Sequence, residues 1–583
     1  MQQITEDWSA AHAAFRSGVS GILPLLRAWW SGEWARRYAP LAAVGLVLFI
    51  GAITASIGAI HARLYGHDIF FLLDNGWRAL HGERVHVDYT SAWGPVTFLL
   101  MAAGLAVSGG SVATISYVNA FVASVAGLWA AWLAAGRSRT MTVVAFSCFV
   151  ALLVAPPFAL GDPFIGTSHG MVYNRYGYAL LTIIMLECFL PPAEDRQTRR
   201  RGWIEPILTG CALGLLLFLK ASYFLVALPL MGALSLFRAP SGRRALLCAS
   251  GFLGTVFLFL AYLRFDVSAM WNDLFAAAAA RSGSLGLRHR SMDLLTGGMI
   301  RAALLGAMTF WHQRSSGPAA AGQPLWRRWC YPLTAVLVVV ADTLLIMTNA
   351  QLLTYPLTAA FAMVLLVSMK PVPRSSASAS SSKGRVFLVI TGLLLALPMA
   401  LVQVLGLGYA FIESRVNPDP PGILRFESPR LHPLILYDVP ANDMDRYSNG
   451  REYVSSLNDG IRLLAAHTRP DEKIATLDMF NPFAYALGRE PIRGGIAAAN
   501  YRYTLDDRHH PSPCRFFADA AVVMVPKYPA SPPIFYDGYR KIYEPALEKE
   551  FRFEAESPRW RLYRRAAPQD GSSVSRSRTA GTH

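Results

Sequence analysis

The residues best able to do chemistry crowd into one stretch, 67–95, which reads HDIFFLLDNGWRALHGERVHVDYTSAWGP. It opens on His67-Asp68 and continues through Asp74-Asn75-Gly76-Trp77-Arg78 to a helix-ending His81-Gly82. It closes on His86-Val87-Asp88-Tyr89 and Trp93-Gly94-Pro95. A positioned carboxylate such as Asp68 or Asp88 can take the proton of an attacking hydroxyl, a contribution of about 10²–10⁴-fold. His67, Asn75, Arg78, His86 and Tyr89 are the polar groups available to hold a substrate around it. Three of these residues also have a plainer use. Asp68 could cap a helix starting at Ile69, and Asp88 could be a turn residue. Arg78 lies four residues after Asp74 and can pair with it on a helix, the use favoured for it.

Two further stretches supply cations and polar groups. Residues 281–290, RSGSLGLRHR, set Arg281, Arg288, His289 and Arg290 among Gly and Ser. Arginine makes forked, charge-assisted bonds to phosphate, and the small residues allow close backbone approach. A solvated basic loop, or one that meets anionic headgroups, is the alternative. Lys220, between two apolar runs, is a second phosphate candidate that could instead snorkel to the headgroups. The stretch 158–176 adds Asp162, His169, Tyr173, Asn174 and Arg175 as candidates for lining an acceptor pocket, although no spacing there identifies a reaction.

The elements that must position these groups are mostly membrane helices. The chain has 583 residues, 53% apolar and only 16% charged, whereas soluble chains carry about 25% charged residues. Measured against the roughly 20 apolar residues a spanning helix needs, runs appear near 41–60, 112–135, 140–157, 177–191, 203–219, 221–237, 245–264, 293–312, 331–348, 351–369 and 386–412. A shorter run, 93–109, reads as an interfacial helix. With it outside the bilayer core, residues 1–40, 136–140, 192–202, 238–244, 313–330 and 370–385 share one face and hold 20 of the 30 basic residues before position 414. The positive-inside rule then sets eleven spans, with the N-terminus cytoplasmic and the C-terminus outside. The same placement of basic residues, in short loops between apolar runs, excludes a nucleic-acid-binding reading. The first long run reads as a signal anchor rather than a cleaved signal peptide.

The expected fold class is a mostly α, polytopic membrane protein with a small C-terminal α/β domain on the outer face. Its parts are a cytoplasmic segment 1–40, a transmembrane domain 41–413 with outer loops 61–111, 158–176 and 265–292, an extracytoplasmic domain 414–565 and a disordered tail 566–583. Within 414–565 the pattern predicts a helix over 452–467, strand character over 473–479, a short helix to Leu487, a strand over 518–525, a helix over 536–551 and a closing strand or hairpin over 552–564. No glycine-rich phosphate loop follows either strand, so nucleotide binding has no support. Segment 373–385 is a Ser-rich linker. No two of the six cysteines have metal-ligand spacing. Arg301 and Asp342, charges deep in adjacent spans, are expected to pair.

The order of features in 67–95, an Asp after the first span, an Asn-Gly helix end, an Asp-aromatic and a Gly-Pro-led juxtamembrane helix, resembles the first outer loop of GT-C-type polytopic glycosyltransferases, the protein-mannosyltransferase and aminoarabinose-transferase-like superfamily. Residues 477–488, LDMFNPFAYALG, look like the C-terminal domains of its bacterial members. The likeness covers most of the chain as topology and about 30 residues as a motif. It implies a cell-envelope enzyme of the inner membrane that moves a hexose or pentose from a polyprenyl-phosphate sugar donor to a saccharide, lipid or protein acceptor, with inversion. It also implies Asp68 as general base, Asp88 as a partner to it or to the acceptor, and the later outer loop as a binder of the lipid phosphate. No cofactor is called for, and a lone carboxylate-bound divalent cation stays open. The rival readings are a transporter or flippase for lipid-linked sugars and a polysaccharide ligase or polymerase. A flippase should scatter functional polar residues through many spans, and here they concentrate in outer loops.

Overall fold

Backbone N–H and C=O groups find no water in a hydrocarbon layer, so an apolar run there must satisfy them within a helix. The computed structural model of the protein describes residues 33–58, 60–138, 140–237, 241–282, 291–315, 325–349, 354–369, 379–438 and 450–566. In chain order its first half contains α1 (Glu33–Ser56), β1 (Ile60–Ala62), α2 (Gly66–Leu80), α3 (Pro95–Val107), α4 (Thr114–Ala135), α5 (Thr142–Val154) and α6 (Val172–Phe189). Next come α7 (Arg199–Leu219), α8 (Ala221–Ser235), α9 (Gly242–Tyr262), α10 (Val267–Ser282), α11 (Ser291–Ser315), α12 (Leu325–Asn349), α13 (Pro356–Val367) and α14 (Ala379–Val416). Every one of the eleven expected runs falls on a helix.

Length and surroundings separate these helices. Six of them, α1, α4, α7, α9, α12 and α14, contain stretches long and apolar enough to cross a membrane. The interfacial α3 has 13 residues, about 20 Å of rise, too short for a core of about 30 Å. The same ruler makes α5, α8 and α13 short as well, although each was expected to span. In α13 all twelve residues are buried, so its apolar surface is covered by protein on every side. By contrast only 6% of the apolar window of α9 is buried, so most of its apolar side chains stay uncovered by protein.

The expected Arg301–Asp342 pair makes no direct contact, although Arg301 stays within electrostatic reach of Asp342. Asp342 Oδ2 accepts from Thr358 N at 2.8 Å and Thr358 Oγ1 at 3.0 Å. That satisfies donors at the start of α13, which no water reaches. Arg301 instead lies over the Tyr355 ring at 4.1 Å and donates to the Gly297 carbonyl.

The C-terminal part is an α/β layer built much as its pattern suggested: α15 (Gly450–His467), β3 (Ile474–Thr476), α16 (Phe483–Leu487), α17 (Pro513–Phe517), β4 (Val522–Pro526), α18 (Pro533–Glu550), β5 (Phe551–Glu556) and β6 (Trp560–Arg565). The sheet order is β3-β4-β6-β5. β3 pairs parallel to β4 (Ile474 opposite Val522), and β6 runs antiparallel to both β4 and β5. One feature had no sequence signal: β2 (Leu434–Leu436) pairs parallel with β1, Ile60 opposite Leu434. That ladder joins the end of the first span to the C-terminal part. A continuous hydrophobic core crosses the same boundary, with Phe70 of α2 edge-on to Phe426 and Tyr453. The two parts therefore meet through a packed interface, and all six cysteines are free thiols.

Candidate active site

The stretch after the first apolar helix carries α2, whose residues Ile69, Phe70, Leu72 and Leu73 are buried. The helix starts at Gly66 behind an N-cap Tyr65 in the left-handed region (φ 52°). Asp68 is thus the third residue of the helix and caps nothing at Ile69. Its backbone N–H bonds the Tyr65 carbonyl at 2.9 Å. A negative charge in this first turn is favoured by the helix dipole. The side chain keeps 20% exposure, and its Oδ1 lies 3.6 Å from His67 Nε2. The His67 ring stacks on Phe480 at 5.8 Å, and burial pushes its pKa down to about 4, so it is neutral beside Asp68 at neutral pH.

Asp68 packs onto Gly170, in a turn where both neighbours, His169 and Met171, hold φ near +53°. A Cβ at Gly170 would sit 2.6 Å from Asp68 Oδ2 and 3.3 Å from Asp68 Cβ. The absence of a side chain at 170 is what lets the carboxylate lie there. This turn leads into α6, where Tyr173 is buried against Trp93 (5.8 Å between rings) and Phe71 (6.1 Å).

The cations reach Tyr173 from other helices. Lys220 stands in extended conformation at the break between α7 and α8. Its Nζ lies 5.0 Å from the Tyr173 ring centre and donates to Asn349 Oδ1 and, at 3.5 Å, to Asn174 Oδ1. Asn349, the last residue of α12, in turn donates to the Tyr223 hydroxyl. Arg281, near the end of α10, donates to the Met347 carbonyl at 3.3 Å and lies 5.8 Å from the Tyr503 ring. Tyr173 is within electrostatic reach of both Asp68 and Arg281, and Arg281 acts on Lys220 as well. The Trp93-Gly94-Pro95 sequence closes the arrangement. Gly94 N–H bonds the Leu219 carbonyl at 3.3 Å, and a Cβ there would lie 2.0 Å from the Phe218 carbonyl oxygen. Pro95 then opens α3 as its first residue, a position where a missing N–H costs nothing.

The structure therefore gathers Asp68, His67, Tyr173, Asn174, Lys220 and Arg281 of the expected residues. It adds Trp93 and Phe480, which lie in the two quoted motifs without being singled out as site residues, and Gly170, Asn349 and Tyr503, which carry no local signal. Arg288, His289 and Arg290 lie outside the described residues.

The remaining candidates go elsewhere. Arg78, 2% exposed, bonds Asp74 Oδ2 (3.1 Å), Glu83 Oε2 (3.2 Å) and the carbonyls of Ile492 (3.1 Å) and Gly494 (2.8 Å). With its guanidinium over the Tyr89 ring at 4.9 Å, it fastens α2 to the C-terminal domain, and the expected Asp74 partner is present. Asn75 does the same through the Phe71 and Ala497 carbonyls. Asp88 accepts from Arg84 N–H at 2.7 Å and closes the 84–88 turn. His86 is fully buried, its Nδ1 2.9 Å from Asp273 Oδ2 of α10. Arg175 donates to the Phe158 and Leu153 carbonyls and to Gln403, with Asp162 in electrostatic reach. Among the described residues no three His, Cys, Asp or Glu side chains gather as a metal site.

No family model matches the chain, and no curated protein matches it in sequence. Among solved structures it is similar to ArnT from Cupriavidus metallidurans in the apo state, with TM-score 0.42 and 13% identity over 90% of this chain and 98% of that one. It is also similar to the arabinofuranosyltransferase AftD from mycobacteria, with TM-score 0.40 and 13% identity over 92% of this chain, which spans about 40% of the length of AftD. A third likeness is to the archaeal oligosaccharyltransferase AglB from Archaeoglobus fulgidus, with TM-score 0.33 and 11% identity over 92% of this chain and 76% of that one.

Proposed function

We propose that this protein is a membrane-embedded glycosyltransferase that moves a sugar from a polyprenyl-phosphate-linked donor to an acceptor hydroxyl at the membrane surface. The observation that carries the reading is the meeting, around Tyr173, of one partly exposed carboxylate with two cations held at helix ends. A polyprenyl-phosphate sugar already has a good leaving group, so two tasks remain. One is to take the acceptor's proton, which Asp68 does as general base. The other is to stabilise charge growing on the departing phosphate, which Lys220 and Arg281 do. A base that activates the acceptor for direct displacement of the phosphate gives a reaction with inversion. The rings of Trp93, Tyr173 and Phe480 offer flat apolar faces to the sugar between them. Asp88 has a turn to hold in this scheme, so the chemistry rests on Asp68 alone. The donor's hydrocarbon tail would lie in lipid beside the bundle, and the C-terminal domain, 414–565, would cover the site from the extracytoplasmic side of an inner membrane.

The test incubates purified protein in lipid nanodiscs with a panel of polyprenyl-phosphate sugars and measures release of free polyprenyl phosphate. Asp68→Asn should lower release at least 100-fold while the protein still accumulates in the membrane. Unchanged release by that variant refutes the assignment.

A further inference from the structure

A second charged cavity, of about 470 Å³, lies where α7, α9 and the α6–α7 connection meet, within the range of small-ligand sites. Its charged lining is Arg201, Arg243, Arg244 and Glu205, three cations against one carboxylate. Glu205 is already held by Arg137 at 2.8 Å and by Arg201 at 3.0 Å, and Arg244 is paired with Glu187. Arg243 stacks on Trp203 at 4.4 Å and has no carboxylate partner among the described residues. The first turn of α9, capped by Ser241, opens onto the same space, and its dipole adds to the positive field.

This cavity is not part of the Asp68 cluster. Arg201 and Lys220 stand near opposite ends of α7, about 28 Å apart along the helix axis, close to the thickness of a bilayer core. Tyr262, at the far end of α9 from Arg243, meets the first outer loop at Val85. The cavity therefore opens at the other membrane face.

Beside the arginines the surface turns apolar, with Trp203, Ile204, Leu236 and Leu246 exposed. A phosphate group fits the arginines, and an exposed hydrocarbon-facing surface beside it calls for acyl chains. We propose that the cavity binds the phosphate headgroup of an anionic phospholipid whose chains lie along α7 and α9. Arg243 makes the direct charge-assisted contact, and Arg201 and Arg244 shape the field around it. A free phosphate anion would share the headgroup chemistry and none of the apolar contact. The proposal does not depend on the catalytic reading.

The test is native mass spectrometry of the full chain in detergent with dioleoyl phosphatidylglycerol, dioleoyl phosphatidylcholine or inorganic phosphate. Phosphatidylglycerol should be retained in preference to both. Arg243→Gln, at an exposed position, should weaken that retention about tenfold. Gly202→Trp should abolish it without loss of thermal stability, because a Cβ at Gly202 meets nothing within 4 Å and the ring would fill the cavity. Arg462→Gln, on the C-terminal domain, should change nothing. Equal retention of phosphatidylcholine, equal occupancy by inorganic phosphate, or wild-type phosphatidylglycerol affinity in both cavity variants would overturn the proposal.

Discussion

Gly170→Ala is the sharpest probe of the carboxylate at the centre of the site. The added Cβ would lie 2.6 Å from Asp68 Oδ2, where ordinary contact begins at 3.4 Å, so the carboxylate must move by about 0.8 Å. It cannot settle by a small turn of its end group alone, because Asp68 Cβ and Cγ also stand only 3.3 and 3.4 Å away. Gly170 itself is not in the left-handed region, so alanine fits its backbone and the fold should persist. A displacement approaching 1 Å from a productive geometry costs about 10²-fold in rate. Release of polyprenyl phosphate should therefore fall roughly 10- to 100-fold in kcat, with little change in the KM for the lipid donor, whose phosphate is assigned in the proposed reaction to Lys220 and Arg281. Wild-type kcat in Gly170→Ala, in protein of unchanged thermal stability, would refute the idea that the position of Asp68 matters to the reaction.

Other perturbations separate structural from chemical roles. Arg78→Met should destabilise the protein by about 3–5 kcal/mol, because it strands Asp74 and Glu83 in a buried interface. Adding Glu83→Gln should recover part of that loss in chemical denaturation, and no recovery would argue against a buried charge network. His67 has a folded pKa near 4 against an ordinary 6.5. On acidification the unfolded chain takes that proton first, so the stability present above pH 6.5 is lost as pH falls towards 4. His67→Phe, which keeps an aromatic ring against Phe480, should flatten the fall in melting temperature across this window; an unchanged slope would refute the assignment. Asp88→Asn keeps an oxygen able to accept from Arg84 N–H, so sugar transfer should stay within about threefold of wild type, at a stability cost of about 1 kcal/mol. A loss comparable to that of Asp68→Asn would restore Asp88 to the chemistry.

Much of this architecture was written in local pattern. Apolar runs near 20 residues placed α1, α4, α7, α9, α12 and α14, and the change to mixed polar composition near position 414 marked the C-terminal layer, whose helices and strands appear close to where alternation put them. Asp68 stood out because a carboxylate just beyond a first span is a local feature. Local pattern misled where partners are distant. Asp342 accepts from the N–H of Thr358 rather than from Arg301, and α5, α8 and α13 came out shorter than the apolar runs that announced them.

Which polar residues face a substrate was a tertiary decision. Arg78 is buried and Lys220 half-buried, yet one is consumed by the Ile492 and Gly494 carbonyls and the other meets Tyr173 beside Asn349. Asp74, four residues before Arg78, hints at a structural use for that arginine, but the Ile492 and Gly494 carbonyls and Asn349, which set the two cations apart, lie more than 100 residues from them. Periodicity and composition report how a segment divides its surface between apolar and polar surroundings. The bare backbone of Gly170 against Asp68, like the choice of partner for each charge, exists only once separate segments are packed together.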